Sequence, residues 1–174
     1  MNIKIRHSEN SDLKDYTNLF QITYTDRYVD ESIGLSSKCF SIEVFNSADT
    51  QAYLKTRLDC DDTQTTWLAF DGDKLVGSIT LIDKGENCEL TAFYVLPSYQ
   101  GMGIGRSLFD IVLAKSRGKD ITLDIYSHNK KSIELYKKWG FEVDEARGKF
   151  KRHWPEWPEG IEAESIYMRL RQAK

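Results

Sequence analysis

The sequence predicts an α+β fold built on one sheet of mixed strand direction. Three observations carry this expectation. Three β signals follow one another between residues 66 and 95 with only short turns between them, the mark of antiparallel hairpins. Helical periods at 105–115 and 129–139 enclose a further strand signal at 121–126. Strand signals also stand near both ends of the chain, at 3–7 and 165–170.

In chain order, Ile3-Lys4-Ile5-Arg6-His7 alternates apolar and polar, as a half-buried strand does. Asn10 or Ser11 caps a following helix that carries Leu13, Tyr16, Phe20 and Tyr24 on one face. Residues 36–58 suit two short helices broken near Asn46–Ser47, the first of which also reads as a strand. The central strands are 66–70, 75–82 and 88–95, joined by turns at 71–74 and 83–87. Pro97 ends the last of them. Leu108, Ile111 and Val112 give the next helix its buried face, and 121–126 is a strand. The 129–139 helix buries Ile133, Tyr136 and Trp139 and stops at Gly140, placed as a left-handed C′ residue. Strands at 141–146 and 165–170 close the chain around an aromatic, acidic loop, Lys151 to Gly160.

At 174 residues the chain suits a single domain, 1–174, able to bury roughly 70 % of its unfolded surface. Hydrophobic residues make up 40 % and charged ones 29 %, which excludes a disordered chain. A net charge of −3 lacks the footprint of a general nucleic-acid binder. No apolar run reaches the ~20 residues of a membrane span. Cys39, Cys60 and Cys88 are odd in number and lack a CxxC, so reduced thiols and a cytoplasmic location are expected. His7, His128 and His153 are scattered, and no metal site is expected.

The most informative segment is Val95-Leu96-Pro97-Ser98-Tyr99-Gln100-Gly101-Met102-Gly103-Ile104-Gly105-Arg106. Three alternate glycines join a strand directly to a helix whose first N–H groups lack intrahelical partners. Such an end suits phosphate, and Arg106 adds a cation; a tight turn without ligand is the other reading. The dinucleotide fingerprint fails because its last glycine comes one residue early, at 105. The P-loop pattern fails at Gln100 and at Arg106, where it needs glycine and lysine.

This segment resembles the signature Q/R-x-x-G-x-G/A of the GNAT superfamily of N-acetyltransferases. Asn129 to Phe141 resembles the family's N-x-x-A-x-x-x-Y-x-x-x-G-F block, with Ser132 replacing Ala. Together the blocks cover about half of the chain, from 66 to 141. The resemblance implies a mostly antiparallel sheet of six to seven strands flanked by about four helices. It implies acetyl-CoA as co-substrate, its pyrophosphate held by Gly101, Met102, Gly103, Ile104, Gly105 and Arg106, with Gln100 also in the cofactor site. It further implies that Phe93, Tyr94 and Val95 pair with the pantetheine arm, which Asn129 and Ser132 also meet.

The implied reaction is direct attack of a primary amine, from a small molecule or a peptide, on the thioester. Tyr136 stands at the family's thiolate-donor position. With Tyr near 10 and a thiol near 8.5, full proton transfer is uphill by roughly 2 kcal/mol, so Tyr136 acts as a hydrogen-bond donor. A helix that simply buries a tyrosine is the alternative. Glu89 is the leading base: strand parity sets it on one face with Thr91, Phe93 and Val95. Lying roughly 13 Å from Phe93, it must act through water, or else be a solvent-facing residue. His128 is a second candidate.

The resemblance places the acceptor between the early helices and the loop before the last strand, giving Tyr24, Tyr28, Trp154 and Glu156 as binding residues. Packing of the Trp-Pro loop against the sheet edge is the competing account. The N-terminal half also loosely resembles PaiA-type polyamine acetyltransferases, around Tyr24-Thr25-Asp26 and Phe45-Asn46. Expected partners are an amine substrate, no nucleic acid and no membrane, in a monomer or homodimer. Two other readings stay open: a non-catalytic acyl-CoA-binding member of the same fold, and a nucleotide- or nucleic-acid-binding module.

Overall fold

The computed structural model describes residues 2–172. The elements run β1 (Ile3–His7), α1 (Leu13–Tyr28), α2 (Ile42–Phe45), α3 (Ala48–Leu58), β2 (Gln64–Asp71), β3 (Lys74–Asp83) and β4 (Cys88–Val95). They continue through α4 (Ile104–Lys115), β5 (Ile121–Tyr126), α5 (Lys130–Lys138), β6 (Glu142–Val143), β7 (Lys149–Arg152) and β8 (Ala163–Leu170). One eight-stranded sheet has the order β1-β2-β3-β4-β5-β8-β6, with β7 also paired to β8. Every pairing is antiparallel except β4 with β5. The sheet is of mixed direction, as the sequence predicts, and mostly antiparallel, as the resemblance implies, with eight strands where six to seven were expected.

Helices cover both faces. Tyr16, Leu19 and Phe20 of α1 and Leu54 and Leu58 of α3 are buried against one face. Leu108, Phe109 and Val112 of α4 and Ile133 of α5 are buried against the other. The Phe109 and Trp139 rings stack with centroids 4.6 Å apart and lock α5 to α4. Gly140, at φ 92°, stops α5 as expected and returns the chain into buried Phe141.

Local chemistry moved several boundaries. Asp12, rather than Asn10 or Ser11, organises the start of α1: its carboxylate accepts the Glu9 N–H at 2.8 Å and both Arg6 nitrogens. Residues 36–58 contain α2 and α3, the second capped by Ser47 Oγ on the Thr50 N–H at 3.2 Å. The strand expected over 141–146 shortens to Glu142–Val143, because a helical turn at Glu145–Arg147 follows. β7 replaces part of the expected loop. Its alternation is hidden in sequence by three cations, of which Lys149 and Lys151 lie outward on Glu164 and Glu162 at 3.0 and 2.9 Å.

Candidate active site

The site begins where the sheet opens. β4 and β5 are paired only at Cys88–Ile121 and Glu89–Thr122. Beyond that, the facing edges of residues 90–95 and 123–126 have no ladder between them and line a cleft of about 810 Å³. One end of the cleft meets the start of α4, and the other lies under α1 and β7.

A β-bulge shapes the β4 wall. Thr80 lies opposite Thr91 and Ser78 opposite Tyr94, so β4 carries one residue more than β3 over this stretch. Ala92 takes φ 49°, a strained value for a residue with a Cβ, and Ser78 Oγ donates to its carbonyl at 2.8 Å. The extra residue reverses strand parity. Phe93 and Val95 therefore turn toward α4 and α5, where Phe93 meets Tyr136 and Trp139. Tyr94 turns toward α1 and donates to the Tyr24 hydroxyl at 3.1 Å. The single face expected for Glu89, Thr91, Phe93 and Val95 is thus corrected. Glu89 lies outside the cleft lining and pairs with Lys84 at 3.6 Å.

At the α4 end, Gly101, Gly103, Gly105, Gln100 and Arg106 line the cleft. Gly103 is the N-cap of α4 at φ 84°, a conformation that disfavours any side chain. The Ile104, Gly105 and Arg106 amides follow it, before the first intrahelical bond from Ser107 N–H to the Gly103 carbonyl at 3.0 Å. A Cβ on Gly105 would sit 3.4 Å from Phe93 Cζ, so this glycine lets the helix come down on β4. Gln100 ties the loop in place: its amide donates to the Val95 carbonyl at 3.0 Å and accepts from Arg27. Arg106 is half-committed to Asp110 at 2.8 Å. Met102 is exposed and Ile104 buried, and neither side chain lines the cleft.

Midway along lie Asn129, Ser132 and Tyr136. Asn129 Oδ1 caps α5 by accepting the Ser132 N–H at 3.2 Å, which leaves its amide N–H groups for other partners. Tyr136 stands two turns along α5 and lines the cleft. Burial raises its phenol well above the ordinary value, and charge on Tyr28 and Asp124 adds to the shift. Tyr136 therefore holds its proton more firmly than an ordinary tyrosine.

The far end is walled by Phe20, Tyr24, Tyr28, Tyr53, Tyr94 and Tyr126. Burial pushes the Tyr28 phenol up to about 12 and Tyr24 and Tyr94 well above the usual range. Asp124 enters from β5 and meets Arg152 of β7 at 2.9 Å. Burial raises the Asp124 carboxyl and the Glu89 charge adds to the shift, while the Arg152 cation opposes it. Among the described residues, the metal-ligating types nowhere gather in a group of three or more suited to an ion.

Of the expected acceptor residues, Tyr24 and Tyr28 line the cleft, whereas Trp154 and Glu156 stand behind it. Trp154 donates to the Tyr126 hydroxyl at 3.0 Å and packs edge-on against Tyr24 and Tyr53. Glu156 accepts the Ser47 and Thr50 hydroxyls at 2.7 and 2.8 Å, at the start of α3. Burial works against its charge, but the two hydroxyls prevail and hold its carboxyl below the ordinary value. Helix capping therefore claims this carboxylate. Glu156→Ala is expected to cost about 2 kcal/mol and lower Tm by about 4–8 °C, leaving the amine KM unchanged, as thermal unfolding and kinetics will show. His128 stacks on Tyr126 with centroids 5.5 Å apart and also lies outside the cleft lining.

Sequence reasoning missed Asp124, Arg152 and Arg27, all in the lining. Asp124 carried one signal: it is the lone charge in an otherwise apolar strand, Ile121-Thr122-Leu123-Asp124-Ile125-Tyr126. Arg152 carried none, because β7 itself was not read.

A sheet split between two parallel strands, with a glycine-opened helix end at one mouth of the gap, is where the residues of the two sequence blocks meet. The sequence model of the acetyltransferase (GNAT) family matches residues 23–141. The chain belongs to that family. A 70-residue stretch is 41 % identical to the uncharacterized N-acetyltransferase MJ1207 of Methanocaldococcus jannaschii, covering 38 % of this chain and 31 % of that relative's length. The fold is similar to that of the PaiA N-acetyltransferase from Thermoplasma acidophilum, solved in complex with coenzyme A. That match has TM-score 0.69, 21 % identity, 98 % of this chain and 99 % of that one. It is also similar to YncA from Salmonella typhimurium, solved with its cofactor acetyl-CoA, with TM-score 0.64, 19 % identity, 100 % of this chain and 96 % of that one. Such low identities make both likenesses ones of fold. Among the described residues, no helix is long and apolar enough to cross a membrane.

Proposed function

We propose that this chain moves an acetyl group from acetyl-CoA directly to a primary amine, both substrates being bound together, and that residues 1–174 act as one catalytic domain. The carrying observation is the cleft itself, which joins the free amides of α4 to the Tyr136 hydroxyl and then to Asp124. The coenzyme A and acetyl-CoA held by the two structural neighbours are consistent with this assignment.

Acetyl-CoA supplies an activated acyl group and a thiol leaving group. The chain supplies the rest. The Gly103 to Arg106 amides and the positive end of α4 hold the pyrophosphate, with Arg27 and Arg106 adding charge. The unpaired edge of Phe93, Tyr94 and Val95 offers main-chain groups to the pantetheine amides, and the Asn129 amide adds a donor. An amide of the bulged stretch stabilises negative charge on the thioester oxygen. Tyr136 donates a hydrogen bond to the departing sulfur. Its raised pKa makes complete proton transfer less favourable than for an ordinary tyrosine, so the proton moves late.

The attacking amine must first be neutral. An ordinary carboxylate lies about 6 pKa units below a lysine-like amine and is a weak base toward it. Asp124 narrows that gap through its raised value, lies inside the cleft, and replaces Glu89 as the group that orients the ammonium and takes its proton. We place the protein in the cytoplasm, where the free thiols of Cys39, Cys60 and Cys88 stay reduced.

The test is thiol release from acetyl-CoA across a panel of amines. Release that depends on a particular amine, with mass spectrometry showing its N-acetyl product, is the expected result. Thermal protection by acetyl-CoA with no release from any amine would replace catalysis by a binding role.

A further inference from the structure

Charge is distributed unevenly along the cleft, and its acceptor end is not the end of a polycation site. The only carboxylates among the lining residues are Asp124 and Glu134. Glu134 lies on the exposed side of α5 and pairs with Lys137 at 2.8 Å. Asp124 stands under the tyrosines, paired with Arg152 at 2.9 Å and within reach of the Glu89 charge outside the lining. A diamine or polyamine entering here would meet a single lining carboxylate for its several ammonium groups, and one guanidinium. The repulsion between its second ammonium and Arg152 would be weakly screened under the aromatic lid.

Arg152 has capacity to spare. Its ionic partner is one Asp124 oxygen, and the Tyr126 hydroxyl takes a second donor, which leaves the rest of the five N–H donors of a guanidinium. β7 alternation holds the side chain inward beside Phe150, whose ring lies 5.3 Å from the guanidinium carbon, while Lys149 and Lys151 face out. The position is thus a fixed fork, partly shielded from water, reaching the wall of the acceptor chamber. A guanidinium in that setting favours a planar, bidentate anion. The remaining walls, Phe20, Tyr24, Tyr28 and Tyr53, are aromatic and uncharged, and suit an apolar side chain.

Resting on the acetyltransferase reading above, we propose that the acceptor carries a carboxylate beside its amine, being a free amino acid with an apolar or aromatic side chain. Arg152 docks the carboxylate, Asp124 receives the ammonium, and the tyrosine walls hold the side chain. Arg152 is then the specificity-determining residue of the acceptor site. Its separation from Asp124 places the two charges of a zwitterion side by side.

The test compares matched pairs that differ only in the carboxylate: phenylalanine against phenethylamine and leucine against isoamylamine, with spermidine as the polycation. Calorimetric binding to the coenzyme A-loaded protein is measured alongside thiol release. The amino acids are expected to bind at least about tenfold more tightly than the decarboxylated amines, the range of one charge-assisted contact. Arg152→Met is expected to bring that ratio close to one, and Arg152→Lys to an intermediate value, coenzyme A binding reporting that both variants are folded. Equal or tighter binding of phenethylamine, isoamylamine or spermidine to the wild-type protein would overturn the proposal without recourse to any variant. A preserved carboxylate preference in binding with no thiol release would uphold this inference and remove the catalytic reading instead.

Discussion

Tyr136→Phe is expected to lower kcat by about 30–100-fold while leaving the affinity for coenzyme A within a factor of two. The ring is held by packing that phenylalanine keeps, with Phe141 5.3 Å and Phe93 6.3 Å away between centroids. What disappears is one hydroxyl, and with it the hydrogen bond to sulfur as negative charge develops there. A charge-assisted bond of that kind contributes about 2–3 kcal/mol, which sets the size of the effect. Coenzyme A affinity is spared because the grip lies at the other end of the cleft, on the amides of α4. Steady-state kinetics with calorimetric titration separate the two. An unchanged kcat would leave Tyr136 as a packing residue only.

Asp124→Asn is expected to lower kcat/KM for the amine by about 100-fold, again with little effect on coenzyme A. Asparagine matches the volume but neither accepts a proton nor attracts an ammonium, and it leaves Arg152 without its counter-charge. The pH profile adds a sharper signature. Burial and the Glu89 charge outweigh the Arg152 cation and raise the folded-state pKa of Asp124, so its carboxylate forms at a higher pH than that of an ordinary aspartate. The wild-type kcat/KM should therefore climb with pH as Asp124 ionises, on a limb displaced upward from the usual carboxylate range. The Asn variant should lack that limb. Retention of the limb in the variant would assign it to another group.

Much of this molecule was legible in its sequence because local chemistry and global fold agree there. The period-2 pattern of 88–95 and the 3.6-residue periods of α4 and α5 needed no tertiary context, and Gly140 marked its own helix end. The glycine loop was legible for a different reason: Gly103 takes a backbone conformation that favours glycine, so function left a mark on composition. The bulge at Ala92 left none. An alanine at positive φ is tolerated because Ser78 and the neighbouring strand hold it, and nothing in Thr91-Ala92-Phe93 announces the change of parity. The single face expected for Glu89, Phe93 and Val95 failed for that reason, since a one-residue bulge moves everything beyond it to the other face.

The acceptor side was harder for a related reason. Glu156 read as a ligand because an acid among tryptophans looks like a cation site. Its partners, Ser47 and Thr50, lie more than a hundred positions away, and only the fold reveals that they claim it. Asp124 and Arg152 form the reverse case. Each is unremarkable alone, and their meaning comes from the pairing of β5 with β7 side chains beside the opening.

The central claim is that the gap between β4 and β5 seats acetyl-CoA with its pyrophosphate on α4 and its sulfur beside Tyr136. A crystal structure with coenzyme A bound tests it most directly. The account predicts pyrophosphate oxygens within hydrogen-bond distance of the amides between Gly103 and Arg106, and the thiol within reach of the Tyr136 hydroxyl. Coenzyme A bound outside the gap, or seated there with its thiol turned away from Tyr136, would contradict it.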